Sequence, residues 1–150
     1  MKLNTQVVIN APREVVWNIV SDIENCKDTI SAIEKIDILE KPDSGMTGLK
    51  WKEQRTLFGK TATETMWVTD SKENEFYKTR AESHGSIYET MLSLKDGGEG
   101  TLLNWEFAGS PQTFGAKLMS VLMGWMFKGS MRKALEQDLA DIKAKAESLN

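Results

Sequence analysis

Trp51, Glu53, Arg55 and Leu57 alternate along one short stretch, and they hold the combination best able to do chemistry. Alternate residues of a strand share a face. The intervening Lys50, Lys52, Gln54 and Thr56 are wholly polar and belong in water. Glu53 and Arg55 must then point inward, between two large apolar neighbours. A carboxylate and a guanidinium on an inner face are costly unless they are well paired. The pair reads either as a polar anchor that orients a guest in an apolar pocket, or as an internal salt bridge near a strand end. Ala62, Glu64, Met66 and Val68 share a parity that can also face inward, which adds Glu64 as a second inner carboxylate. Tyr88, Thr90, Leu92 and Leu94 alternate on a later strand, and Leu103, Trp105 and Phe107 on the last. Tyr88, Thr90 and Trp105 are either pocket wall, with the tyrosine hydroxyl free to bond a ligand, or ordinary core packing of aromatic side chains.

Other chemistries have less to stand on. His84 is the single histidine and Cys26 the single cysteine. A metal site needs several ligands, so no metal is expected, and no cofactor. His84 beside Gly85 has the chemistry of a general base but no supporting constellation. Cys26 lies in a polar stretch and reads as a bystander thiol. Gly97, Gly98 and Gly100 belong to a hairpin turn, not to the strand-to-helix turn that a dinucleotide fingerprint requires. No catalytic residue is assigned.

The elements that position these residues follow from periodicity. Thr5 to Asn10 is a β-branched strand. Pro12 opens a helix to about Asp22 as its first helical residue, and Asn25 to Ser31 forms a short polar turn. From Glu34 to about residue 109 the period is two, in six strands separated by Pro42-Asp43-Ser44-Gly45, Gly59, Asp70 to Asn74, Gly85 and Asp96 to Gly100. Ser110-Pro111 then supplies an N-cap and first-turn pair for one long helix running to Asn150. The second half of that helix has one apolar stripe, Met131, Leu135, Leu139, Ile142, Ala146 and Leu149, against a wet face that includes Asp138 and Asp141. The first half, with Phe114, Leu118, Met119, Met123, Trp125 and Phe127, is apolar all round and needs cover on more than one side. Its methionines suit varied apolar shapes, or serve as core filler. The fold class expected is α+β: a curved antiparallel sheet of about seven strands wrapped around a long C-terminal helix, with two short helices after the first strand.

This order, with its residues, resembles the START-like superfamily, the polyketide cyclase/dehydrase group with a helix-grip fold. Val8-Ile9-Asn10-Ala11-Pro12-Arg13-Glu14-Val15-Val16-Trp17 is similar to its opening strand-to-helix junction. Gly98 to Phe107 is similar to its last hairpin, and Leu135 to Lys143 with Glu147 to the close of its final helix. The likeness spans essentially the whole chain, and residues 1–150 are expected to form one such domain. The family often carries a tryptophan-containing segment at the cavity mouth; here Cys26 to Ile30 is small and polar instead.

Composition narrows the function. The 150 residues are 40% hydrophobic and 27% charged, with a formal net charge of −3. Nothing in that balance favours nucleic acid. The longest apolar run, Leu118 to Phe127, is about half of what a spanning helix needs, so no stable membrane insertion is expected. One cysteine allows no internal disulfide and points to the cytoplasm. The resemblance implies binding, and in some relatives transport, of a hydrophobic small molecule or lipid between sheet and C-terminal helix. The alternative it implies is a polyketide cyclase/dehydrase-like enzyme using cavity polar residues, and a further alternative is a chaperone-regulator-like interaction module. The candidate cavity residues are Trp51, Glu53, Arg55, Glu64, Tyr88, Thr90, Trp105, Met119, Met123 and Phe127, in a monomer or homodimer.

Overall fold

The computed structural model describes every residue except Phe58, His84 and Asn150, and only the backbone course of Leu57 and of residues 121–127. The chain runs β1 (Lys2–Ile9), α1 (Arg13–Val20), a 3-10 helix (Ile23–Asp28), β2 (Ile33–Glu40), β3 (Lys50–Leu57), β4 (Lys60–Lys72), β5 (Phe76–Ser83), β6 (Ser86–Asp96), β7 (Thr101–Pro111) and α2 (Phe114–Ser148). All strands pair antiparallel in one seven-stranded sheet of order β1-β7-β6-β5-β4-β3-β2. This is the α+β helix-grip architecture. A register shift between Val68 and Asp70 interrupts the β4–β5 ladder, a device that bends and twists a sheet.

The alternation that dictates the strands also dictates the core. Ile9, Leu92, Leu94 and Leu103 from the concave face meet Val16, Trp17 and Val20 of α1 and Leu139, Ile142 and Ala146 of α2, all buried. A smaller cluster of Leu3, Phe107 and Leu135, with Met1, Tyr88 and Met131 against it, continues toward the start of α2; Trp105 touches both. Gly100 is required where β7 begins, since a Cβ there would stand 2.1 Å from the carbonyl oxygen of Ile9.

Three boundaries differ from the expectations. Pro12 is the N-cap of α1, with extended backbone, and the helix is shorter than Pro12 to Asp22. Ser110 and Pro111 do not start α2. They complete β7 opposite Ile87 and Ser86, where a proline at the end of a ladder costs no hydrogen bond. The cap is Thr113, whose Oγ1 accepts from the Ala116 N–H at 3.1 Å. Leu149, placed in the apolar stripe, is the C-cap beyond the last helical residue and is exposed.

Candidate functional site

Parity places Glu53 and Arg55 on the concave side, and the structure agrees: Trp51 and Glu53 are buried and Lys52 is exposed. Arg55 donates from Nε to Glu53 Oε2 at 3.1 Å and from Nη1 to Asp138 Oδ2 at 2.7 Å. The Trp51 indole N–H donates to Glu53 Oε1 at 3.4 Å. The expected pair is therefore a triad that ties β3 to α2 across the grip. Asp138 belongs to neither the wet face nor the surface. It is 1% exposed, because it follows Leu135 by three residues and precedes Ile142 by four, on the same buried side of the helix.

The triad carries two carboxylates against one guanidinium. Burial pushes the Asp138 carboxyl up to about 6, against the pull of Arg55 beside it. Burial alone would lower the Arg55 guanidinium, but Asp138 and Glu53 outweigh it and hold the group charged. Among the described residues, Asp138 Oδ1, Trp105 Nε1 and Thr5 Oγ1 are buried without a hydrogen-bond partner. Thr5 and Trp105 are direct neighbours across the β1–β7 ladder. Buried groups of this kind are uncommon in folded proteins.

The remaining candidates distribute unevenly. Glu64 is half-buried and pairs in register with Glu53 across β3 and β4, so the two share a face. Tyr88 is half-buried and stacks on Phe107, ring centroids 5.7 Å apart. Thr90 is bonded to Thr79 through their hydroxyls, which takes it out of the set of free polar groups. Met119 does not line a closed interior: it is 54% exposed, with Phe114 at 83% and Leu118 at 49%. Met123 and Phe127 lie, as side chains, outside the described residues, as does His84.

Cys26 is a second correction. It sits in the core and bonds the Asp22 carbonyl, and burial, with Glu53 and Asp22 adding to it, pushes its thiol up to about 12. With Ile30, Tyr77, Leu92, Trp105 and Ile142 it lines a cavity of about 20 Å³. That is room for about one water molecule, so the sheet and the C-terminal half of α2 are closely packed. The segment expected to be a small polar turn thus contributes Cys26 and Ile30 to the interior. An open groove of about 600 Å³ lies at the opposite end of the strands, by the β4–β5 and β6–β7 turns, between Asn10, Arg13, Asn74, Asp96 and Glu99. None of the triad touches it. Among the described residues no group of acidic, histidine or cysteine side chains could hold a metal ion, and no helix is long and apolar enough to cross a membrane.

Comparison with known proteins agrees with this geometry. The family model described as polyketide cyclase/dehydrase and lipid transport matches residues 1–147. No curated protein matches the chain. A crystal structure of a Thermus thermophilus protein superposes with a TM-score of 0.82 at 16% identity, covering 100% of this chain and 99% of that one. A START superfamily protein from Mycobacterium smegmatis gives 0.82 at 20% identity, covering 99% of each. The Zhui aromatase/cyclase from Streptomyces gives 0.74 at 15%, covering 98% of this chain and 93% of that one.

Proposed function

Because the chain belongs to the polyketide cyclase/dehydrase and lipid transport family, we propose that it binds an apolar small molecule between the concave sheet and α2. The observation that carries this is the apolar surface at the start of α2, where Phe114, Leu118 and Met119 are exposed on consecutive turns. The space around the C-terminal half of α2 is filled, so the guest belongs beside the N-terminal half, where Phe114, Leu118 and Met119 present apolar surface to water. Covering that surface stabilises by about 25 cal/mol per Å² before the costs of association. Thermal shift with a panel of alkanols and neutral aromatic compounds tests the reading. A concentration-dependent rise in melting temperature is expected for some members; no rise with any of them would overturn it.

A second reading, a cyclase/dehydrase-like enzyme, is favoured by one observation. Burial pushes the Asp138 carboxyl up to about 6, toward the range in which a group transfers protons most effectively. Arg55 holds Oδ2 of Asp138, which makes Asp138 the acid/base candidate of this reading, with Glu53, Glu64 and Tyr88 as the others. If a substrate is found, Asp138→Asn is expected to lower kcat by about 100-fold or more without a matching change in KM. Unchanged turnover would remove this assignment.

A further inference from the structure

Positive charge and exposed apolar surface coincide on the first half of α2. Between Glu106 and Glu136 the sequence has no acidic residue but four basic ones, Lys117, Lys128, Arg132 and Lys133, in a chain of formal net charge −3. All four are exposed. Among the described residues Lys117, Lys128 and Lys133 enter no ion pair, and Arg132 donates to the Asn4 carbonyl oxygen, not to an acid. Phe114 and Leu118 lie one turn apart, as do Lys128 and Arg132, and Arg132 follows Phe114 by about five turns, so the four share one side of the helix.

Going beyond a single bound guest at that surface, we infer that this stretch docks on an anionic membrane surface. The helix would lie in the headgroup layer with Phe114, Leu118 and Met119 turned toward the acyl chains and its cations against the lipid phosphates. Contiguous exposed apolar side chains mark such contacts. No helix among the described residues is long and apolar enough to cross a membrane, so the contact is peripheral.

The surroundings favour an anionic partner. The first turn of α2 holds no acidic residue and Lys117 follows directly, although the positive end of a helix favours carboxylates. The Thr113 N–H donates to the carbonyl oxygen of Gly85, in the β5–β6 turn, and Lys60 is exposed on the β3–β4 turn at the same end of the sheet. Acids of the neighbouring strands are paired or face away. Glu82 is held by Arg80 and Glu53 by Arg55, and Glu64 is half-buried on the concave face. Glu89 and Glu106 alternate with the inward Tyr88 and Phe107 and so face the convex side. A second copy fits this surface less well. A two-fold dimer through it would bring the same four cations of both chains together, with no acid from residues 107–135 to pair them.

Cosedimentation of the full chain with vesicles of phosphatidylcholine, with and without phosphatidylglycerol, tests this. Binding to the anionic vesicles is expected to be at least about tenfold tighter, and to weaken as salt is raised. Lys128→Glu combined with Lys133→Glu is expected to cut that preference to about threefold or less. Leu118→Ser should weaken binding to the anionic vesicles by about threefold or more, because less apolar area is inserted. Circular dichroism checks that the variants fold; where one does not, the lipid and salt dependence of the wild type decides. Equal binding to both vesicles, binding to neither, or a preference untouched in the folded lysine variant overturns the inference. So does a dimer by size exclusion that binds no vesicle, since a second copy then covers the apolar face. The lysine variant should keep the full melting-temperature gain given by a neutral alkanol. An alkanol gain without vesicle binding overturns this inference and leaves the binding reading standing; vesicle binding without an alkanol gain does the reverse.

Discussion

The two halves of α2 are one continuous helix with opposite treatments of apolar surface. From Leu135 to Ala146 the apolar residues are buried against β1, β7 and α1, and the one buried charge, Asp138, is paired. From Phe114 to Met119 they stand in water. Scattered exposed apolar residues need no explanation, but three within two turns form a patch that folding alone does not justify. The C-terminal half is framework; the stretch Phe114 to Met119 is apolar surface left uncovered by the rest of the chain. The triad lies within the packed half, three residues past Leu135, and fastens the helix to β3.

Each of the following substitutions would break or sharpen that contrast. Arg55→Ala leaves two carboxylates facing each other in the interior and is expected to cost about 3–5 kcal/mol in urea unfolding. A loss under about 1 kcal/mol would mean the triad is a solvated surface pair. Leu139→Ala, in the packed half, is expected to cost about 2–5 kcal/mol.

The pH dependence isolates Asp138. Its folded value of about 6 lies above the ordinary carboxylate value of 3.8, so between those limits the folded protein holds a proton that the unfolded chain has released. Stability from this group is therefore greatest below about 4 and declines as pH rises toward 6. Glu34 and Glu147, exposed and held low by Thr56 and Lys143 respectively, act in the opposite sense. The difference between wild type and Asp138→Asn removes their contribution. It should fall with rising pH across that window and be flat above about pH 7; a rise would contradict the assignment. The smallest effect is expected in the other half. Phe114→Ala and Leu118→Ala should shift stability by no more than about 0.5 kcal/mol, yet reduce the melting-temperature gain given by a bound alkanol.

Much of the fold is legible in the sequence. Residues 50–57 alternate so cleanly that their inner face follows from charge alone, and the likeness of both chain ends to a known family supplied the helix-grip frame. Asp138 was not legible, for a physical reason. A lone acid between Leu135 and Ile142 looks like the edge of a wet face until its partner is known, and that partner lies 83 residues away. Ser110-Pro111 misled in a related manner. It has the composition of a helix start, but the ladder opposite Ser86 and Ile87 outweighs that local preference. Cys26 and Ile30 were misjudged because their neighbours are polar, whereas the 3-10 helix turns these two side chains inward.

The central claim is that the chain holds an apolar guest beside the first half of α2. Titration with the neutral dye Nile red tests it most directly. The account predicts saturable, one-to-one fluorescence enhancement by the folded protein, displaced by dodecanol and weakened by Leu118→Ala. Enhancement that never saturates, or that dodecanol does not displace, would contradict it.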